Sequence, residues 1–359
     1  MLTVIIFIIV LGILVLAHEA GHFYVAKKSG MKVEEFGFGF PPRLIGIKKG
    51  ETVYSLNWIP FGGFVKIYGE EGSDSDNPRS FSSKPAGQRA KVIVAGVLMN
   101  LLLAAALLGL GIFLGLRIGL IGEDIKNATD VKIQVIQVSQ DSPAQKAGIK
   151  VFDEIKLLQK QGEVVKPENV AEVQNFVNKY AGREISLTIG RNGEALNLTL
   201  VPRQDPPQGQ GAIGINLAKT GVVSYPWYQA IWRGIYDTGV QTANITIALG
   251  LFFKNLFINT KLIGDVSGPI GIAVLTGQAA GLGFNYLIQF VALLSINLAV
   301  LNIMPFPALD GGRLIFIGLE KLKGSPVPKK VEGFVNAAGF AFLIALMIWI
   351  TVKDITKFF

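Results

Sequence analysis

Long apolar runs alternate with charged segments along the chain, and this pattern predicts its membrane-crossing elements. Residues 2–26 contain a single charged side chain, that of Glu19, and residues 92–116 contain none. Residues 284–304 and 334–352 are also uncharged and of similar length. Because about 20 apolar residues cross the hydrocarbon core of a bilayer, the pattern predicts an α-helical polytopic membrane protein with four transmembrane helices.

Two details refine the first two runs. No basic residue precedes residues 2–26 and no clear small-x-small cleavage site follows them. We therefore interpret this run as a retained helix and not as a cleaved signal peptide. Asn100 interrupts the second run. An amide inside a membrane usually faces other helices and not lipid, so Asn100 is expected to lie inside the helix bundle.

The loop between these runs, residues 27–91, is basic and contains a β-rich stretch. It holds eleven Lys and Arg residues. Residues 52–58 and 64–67 favour strands, and the turn at Pro60–Gly63 between them predicts a β-hairpin. The hairpin would dip into the membrane if other protein covered its backbone groups. An ordinary surface hairpin fits the pattern equally well.

Residues 117–215 have the composition of a soluble α/β module. Apolar and polar residues alternate in its first strand, and its longest helix has one apolar side. A stretch rich in Pro, Gly and Gln at residues 204–211 is interpreted as a linker. The predicted elements are a strand at 131–135, a short helix opened by Asp141–Ala144 and closed by Gly148, a helix at 167–180, and strands 184–190 and 195–201 joined by a tight turn at Asn192-Gly193.

Residues 216–283 are interpreted as a linker with amphipathic interfacial helices. Within it, residues 226–260 mix apolar and polar residues at helical spacing and include four aromatic Trp and Tyr residues near their start. Such residues favour the membrane–water boundary. The predicted regions of the chain are therefore 1–116, 117–215, 216–283 and 284–359.

Composition and charge set the class and the orientation. Of the 359 residues, 50% are hydrophobic and 17% are charged, as in integral membrane proteins. A net charge of +8 would indicate nucleic acid in a soluble protein, but here we assign it to cytoplasmic loops and expect no nucleic-acid partner. The basic loops 27–91 and 305–333 lie on one side of the predicted topology. They are placed in the cytoplasm, and residues 117–283 and both termini outside it.

The candidate metal-binding and catalytic motif is His18-Glu19-Ala20-Gly21-His22. Four-residue spacing puts both imidazoles on one helix face, where two nitrogens can bind one Zn²⁺. Glu19 lies beside them, placed to accept a proton from the attacking water. These are the only two histidines of the chain. Such motifs also occur by chance, but placing these groups in a bilayer costs roughly a few kcal/mol, which argues against an accidental match.

A third metal ligand must be an oxygen, because the chain contains no cysteine. Asp310 ends an uncharged run in which Pro305 and Pro307 break the helix. The topology puts it at the cytoplasmic end of its helix, the same side as His22, so the depths match. The alternative is an exposed Asp in a helix-ending turn. This alternative is less favoured, because apart from Asp310 only Glu19 supplies a charged oxygen in the hydrophobic segments.

The histidine motif together with Asn302–Gly312 resembles the site-2 protease family of intramembrane zinc metalloproteases. The resemblance is strongest to the bacterial branch with a PDZ domain, typified by the regulator of sigma-E protease. It implies His18, His22 and Asp310 as zinc ligands, Glu19 as general base, and Asn302 close to the substrate or the developing oxyanion. Supporting matches lie at Ile59–Lys66, Ala95–Asn100, Asp141–Ala144 and Ser267–Ile270.

The resemblance also implies a fold, a location and partners. Residues 117–215 would form one extracytoplasmic PDZ-like domain that acts as a size filter or binds peptide C-termini. The substrates would be single-span membrane proteins, such as anti-sigma factors or signal-peptide remnants, and the location the lipid bilayer of a bacterial inner membrane. Two residues depart from the family pattern, since Val97 stands for a usual proline and Phe152 for a usual glycine.

Two other classes of function remain open. A non-catalytic membrane scaffold would bind peptides through the PDZ-like domain and hold a structural metal. A metal-ion transporter would use the same side chains, because histidines and carboxylates inside membrane helices often line ion pathways. Metal content measured together with substrate turnover separates the protease from the scaffold, and metal flux identifies the transporter.

Overall fold

A computed structural model describes most of the chain as two compact units. The first unit combines Met1–Gly111 with Trp227–Phe359, and the second is Ile112–Pro226. Asn192 of the predicted tight turn and Ser267 of the supporting matches lie outside the described residues. The described residues are 2–70, 76–120, 128–191, 193–207, 209–258, 268–325 and 327–358.

Helices dominate the first unit and strands the second. In chain order, the helices are α1 (Leu2–Lys28), α2 (Ala86–Leu114), α3 (Pro143–Lys146), α4 (Val170–Lys179), α5 (Trp227–Ile258), α6 (Pro269–Leu282), α7 (Phe284–Ile303), α8 (Asp310–Lys323) and α9 (Lys329–Phe358). The strands are β1 (Val33–Lys49), β2 (Thr52–Ile67), β3 (Leu116–Gly119), β4 (Ala128–Val138), β5 (Glu154–Lys160), β6 (Glu163–Val165), β7 (Ile185–Arg191), β8 (Glu194–Leu200) and β9 (Ile215–Val223).

Four helices of the described chain are long and apolar enough to cross a membrane. They are α1, α2, α7 and the part of α9 from Lys329 to Thr356. Each overlaps one of the four predicted runs, although α2 ends two residues and α7 one residue before the predicted end, so the prediction of four helices that could cross a membrane is confirmed. The first of them, α1, ends at Lys27 and Lys28, whose ammonium groups suit the negative end of the helix dipole.

Two of the other helices, α5 and α8, lie in segments where the sequence predicted something different or less definite. The predicted interfacial stretch 226–260 forms one continuous helix, α5, of 32 residues. Its Trp232 and Tyr236 are 72% and 70% exposed, and its placement at the membrane–water boundary stays a prediction. The segment 305–333 was expected to be a loop, but it contains α8. That helix is short and amphipathic. Ile317 is buried on its apolar side, but the charged residues between the apolar positions made the segment resemble a loop in the sequence.

The predicted pairing of the hairpin at residues 52–67 is wrong. β1 and β2 form one sheet, and in its register Phe36 is a partner of both Tyr54 and Val65. Residues 33–38 therefore lie between the two halves of β2, which were expected to pair with each other. Local alternation of side chains shows that a segment is a strand, but it does not show which distant strand becomes its neighbour.

The helix α1 is central to the first unit. It packs against β1, β2, α6 and α7. One apolar cluster joins Val10 and Leu14 of α1 to Val291 of α7. A second cluster joins Ala26, at the other end of α1, to residues of the sheet, α2 and α8. The residues between these clusters, which include the histidine motif, are thus held on both sides.

The second unit is built on a sheet of seven strands within its described residues. The strand order is β3-β9-β4-β5-β7-β8, and β6 pairs with β5. The buried residues Val173, Phe176 and Val177 of α4 complete the apolar core of this unit. Ser142 and Asn169 cap α3 and α4, since their side chains accept hydrogen bonds from the free backbone N–H groups of the first turns.

The second unit extends beyond the predicted end of the module at residue 215. That residue begins β9, which pairs with β3 and β4. The described residues 204–207 and 209–211 belong to the unit and are not a linker at its end, because the Arg203 N–H donates to the Ala212 carbonyl at 2.9 Å. Phe152 has a φ of 73°, a backbone conformation that glycine adopts more easily than other residues. This explains why the resembled family has glycine at this position.

Candidate metal centre and active site

Two helices bring the predicted metal ligands together. His18 and His22 lie one turn apart on α1, and Asp310 is the first residue of α8. His18 Nε2 lies 3.1 Å from His22 Nε2, and Asp310 Oδ2 lies 3.1 Å and 3.4 Å from these two nitrogens. In the described part of the chain, this is the one group of three or more such ligand atoms within 4.8 Å of one another.

The spacing and surroundings of these atoms fit a zinc ion. Zinc bonds of about 2.0–2.2 Å at tetrahedral angles place ligand atoms about 3.3–3.6 Å apart. The three separations here, 3.1–3.4 Å, need to widen by only about 0.2 Å to reach that range. Asp310 Oδ2 is buried and accepts no hydrogen bond from any described group, although both imidazole nitrogens are near. An unpartnered buried carboxylate oxygen is costly, and a cation between the three atoms would satisfy it. Two imidazole nitrogens and one carboxylate oxygen are a donor set suited to Zn²⁺.

The second nitrogen of each imidazole meets a residue of α2. His22 Nδ1 lies 2.8 Å from the Val92 carbonyl oxygen, to which an Nδ1–H donates. His18 Nδ1 lies 3.3 Å from the side-chain amide of Asn100. Outer partners of this kind fix the orientation of metal-binding histidines. With Nδ1 engaged, both rings present Nε2 to the common centre.

Asn302 and Glu19 lie beside the ligand cluster. Asn302 is in the last turn of α7, and its Nδ2 is 3.3 Å from His18 Nε2. Glu19 follows His18 on α1 and lines the cavity next to the ligands. The structure therefore brings all five predicted site residues together. The catalytic roles of Glu19 and Asn302 stay predictions.

Close backbone packing fixes the position of Asp310. A Cβ on Gly311 would lie 2.1 Å from the Met304 carbonyl oxygen, and one on Gly312 would lie 2.3 Å from that of Phe306. Both distances are too short for any side chain. The two glycines thus let the start of α8 fold against the end of α7, which places the carboxylate next to α1.

A cavity of about 200 Å³ lies next to the ligand cluster. An ion pair lines it, since Arg313 Nη1 donates to Glu70 Oε1 at 2.5 Å. The negative charge of Glu70 raises the pKa of the Arg313 guanidinium above its ordinary value, so Arg313 stays cationic. The other lining residues described here are the three ligands, Glu19, Gly63, Phe64, Val65, Ile67, Phe81, Val92 and Ile93.

Glycines also allow α2 to pass close to the histidine motif. A Cβ on Gly96 would lie 2.4 Å from His22 Nε2 and 2.8 Å from His18 Cε1. A Cβ on Gly21 would lie 2.3 Å from the Ala95 carbonyl oxygen. Small residues are the usual means by which membrane helices approach this closely. The position of both imidazoles therefore depends on the absence of side chains at these two positions.

Gly96→Ala is expected to lower zinc affinity by about 10–100-fold, the range seen when the support of metal ligands is disturbed. The added methyl group would displace both imidazoles. Competition with a chelator on the full chain in detergent measures the effect. Gly87→Ala is the matched control on the same helix, because nothing lies within 4 Å of its Cβ. Equal zinc affinity of the two variants would show that α2 does not constrain the ligands.

The sequence indicates only some of the residues that complete the site. Asn100 has a signal, because an amide in an apolar run is expected to face other helices, and it is fully buried. Val92 has none, since every residue carries a carbonyl group. The pair of Glu70 and Arg313 has none either, because the two residues are 243 positions apart.

Comparison with known proteins shows the family. The model of peptidase family M50 matches residues 6–346. A protein of Clostridium acetobutylicum, whose name assigns it provisionally to the zinc metalloproteases, is 36% identical over 98% of this chain and 97% of its own length. Proteins named zinc metalloprotease RasP are 30% identical in Geobacillus kaustophilus, over 99% of this chain and 98% of that protein, and 29% identical in Oceanobacillus iheyensis, over the full length of both.

The chain therefore belongs to peptidase family M50, the site-2 protease family, over nearly its whole length. The relatives named RasP represent the branch of the regulator of sigma-E protease. The predicted family and the predicted branch of the regulator of sigma-E protease are confirmed, and the PDZ-like domain stays a prediction.

Proposed function

We propose that this chain is a zinc-dependent intramembrane endopeptidase that cleaves single-span membrane proteins within or near the bilayer. The enzyme class and the metal, a zinc metalloendopeptidase, are confirmed by the family and by the names of the relatives. One observation carries the proposal. Two ligands of the cluster, His18 and His22, lie on α1, a helix long and apolar enough to cross a membrane, and Asp310 joins them from the start of α8.

The number of ligands favours a catalytic over a structural metal site. Structural zinc sites use four protein ligands, whereas catalytic sites use three and keep one position for water or substrate. Among the described residues, three ligand atoms converge, and a cavity lies beside them. This arrangement supports an enzyme and speaks against a scaffold with a structural metal.

The five site residues divide three tasks of peptide-bond hydrolysis among them. His18, His22 and Asp310 hold the ion. Bound zinc supplies a Lewis acid that polarises the scissile carbonyl and lowers the pKa of water. The Glu19 carboxylate accepts a proton from the attacking water and passes it to the leaving amide nitrogen. Asn302 Nδ2 donates a hydrogen bond to the carbonyl oxygen as that oxygen gains negative charge.

The substrate would bind as an extended strand at the edge of the β1–β2 sheet. Residues 63–67 pair with residues 33–38 on one side, and no other described strand pairs with them. Four of these five edge residues line the cavity. A transmembrane helix hides its carbonyl groups in hydrogen bonds, so a substrate must unwind before cleavage. Pairing with the free edge would replace the hydrogen bonds that unwinding breaks.

The second unit is proposed to be the PDZ-like domain, with a role as a size filter or as a binding site for peptide C-termini. Its seven described strands and amphipathic helix α4 support this assignment. The basic loops support an orientation with this unit and both termini outside the cytoplasm. The proposed location is the inner membrane of a bacterial cell, and the proposed substrates include anti-sigma factors and signal-peptide remnants.

Mass spectrometry of membranes from cells that express either the wild type or Glu19→Gln tests the substrate class. The wild type is expected to produce fragments of single-span proteins cut inside their apolar segments, and the variant is expected to leave those proteins intact. Identical fragment patterns would contradict the proposal. Zinc flux through proteoliposomes that contain the purified wild type would instead identify a transporter.

A further inference from the structure

Next to His18 lies a buried amide that the proposed chemistry does not use. Asn100 of α2 is 0% exposed. Its Nδ2 lies 3.3 Å from His18 Nδ1, whereas its Oδ1 is buried and has no hydrogen-bond partner among the described groups. Buried amide oxygens nearly always accept a hydrogen bond. In this orientation the acceptor of the amide, Oδ1, is unused, although the amide lies next to the ring nitrogen Nδ1 of His18.

The metal cluster determines which atom of Asn100 must face the ring. The atom of His18 that meets the other two ligand atoms is Nε2. A neutral imidazole that binds a metal through Nε2 carries its hydrogen on Nδ1, which is then a donor and needs an acceptor. A half-turn of the amide exchanges Nδ2 and Oδ1, two atoms of nearly the same size. After this exchange the unused oxygen accepts the Nδ1–H of His18.

The neighbouring ligand shows the same arrangement. His22 Nδ1 lies 2.8 Å from the carbonyl oxygen of Val92, a group that can only accept. Asn100 is also fixed in place, because Ser295 Oγ of α7 donates to its backbone carbonyl at 2.8 Å. Each imidazole of the cluster is thus next to an anchored residue of α2 that offers an acceptor to its Nδ1.

We propose that Asn100 is a positioning residue of the zinc site. Its Oδ1 accepts the Nδ1–H of His18 and so fixes the tautomer and the ring orientation in which Nε2 binds the metal. This inference rests on the proposed role of His18 as a zinc ligand. It assigns to Asn100 no contact with the substrate.

Two substitutions separate this role from simple packing. Asn100→Leu keeps the size of the side chain and removes the acceptor, whereas Asn100→Asp keeps an acceptor at the same position. Loss of an outer partner lowers metal affinity by about 10–100-fold. We expect that loss in Asn100→Leu and near wild-type zinc affinity in Asn100→Asp, both measured by chelator competition. A packing role predicts the opposite order, since a buried carboxylate is costlier than a buried leucine.

Histidine-selective ¹⁵N labelling gives a second readout that packing alone does not change. The chain has two histidines, so the full chain with a histidine-free affinity tag gives NMR signals from two imidazoles. In the zinc-loaded wild type, both are expected to be protonated at Nδ1. In Asn100→Leu, the Nδ1–H of His18 should shift and exchange faster with water while that of His22 stays unchanged. In Asn100→Asp, it should move downfield, because a charged acceptor makes a stronger hydrogen bond.

The outcomes distinguish this inference from the proposed function. An unshifted His18 signal in Asn100→Asp overturns the inference, and this variant alone decides the matter if Asn100→Leu does not fold. Wild-type zinc affinity in Asn100→Leu, or equal losses in both variants, overturns it as well. A wild-type protein that binds no zinc through its histidines would instead contradict the proposed function.

Discussion

Replacing Glu19 with glutamine is expected to lower the rate constant of peptide-bond cleavage, kcat, by about 10²–10⁴-fold, while zinc stays bound. Glutamine keeps the shape of the side chain but cannot accept the proton of the attacking water. Glu19 lines the cavity and is not one of the three converging ligand atoms. The loss should therefore appear in kcat, and the KM for the substrate should stay close to that of the wild type.

Cleavage of a single-span substrate in liposomes, together with elemental analysis of bound zinc, measures this effect. Glu194→Gln is a suitable control, because it makes the same chemical change at an exposed carboxylate of β8. It is expected to leave cleavage unchanged. A Glu19→Gln enzyme that cleaves at the wild-type rate would rule out Glu19 as the base. Loss of zinc from this variant would show that Glu19 is a ligand.

Asp310→Asn is expected to lower zinc affinity by more than about 100-fold and to remove activity together with the metal. Outer partners of metal ligands alone are worth about 10–100-fold in affinity, and this change replaces an anionic ligand with a neutral amide. Two imidazoles would then hold the ion without a carboxylate. In contrast to Glu19→Gln, the activity of this variant should rise again as the zinc concentration is raised.

Chelator competition and cleavage assays at increasing zinc concentration test this expectation. Asp205→Asn is the matched control, since Asp205 is an exposed carboxylate in a loop of the second unit. This control is expected to match the wild type in both assays. Wild-type zinc affinity in Asp310→Asn would remove Asp310 from the metal site.

The core of the site could be predicted because its main constraints are local. Helix geometry alone places His18 and His22 on one face, with Glu19 beside them. Asp310 is then assigned as the third ligand by elimination, because the chain has no cysteine and few charged oxygens in its apolar runs. The four apolar helices could be predicted for a similar reason, since the length of a membrane helix is set by the thickness of the bilayer.

The features that were missed depend on contacts between distant parts of the chain. The pairing of residues 33–38 with both halves of β2 is one of them, and the hydrogen bond from Arg203 to Ala212, which places the predicted linker inside the second unit, is another. The close passage of Gly96 by the imidazoles and the carbonyl group of Val92 at His22 also belong here. A backbone group or a missing side chain leaves no pattern in the sequence that marks its role.

Anomalous X-ray diffraction at the zinc absorption edge, from crystals of the full chain, tests the central claim most directly. One zinc peak is expected between His18 Nε2, His22 Nε2 and Asp310 Oδ2, at about 2.0–2.2 Å from each of them. A zinc peak elsewhere in the molecule, with these three side chains bound to no metal, would contradict the account.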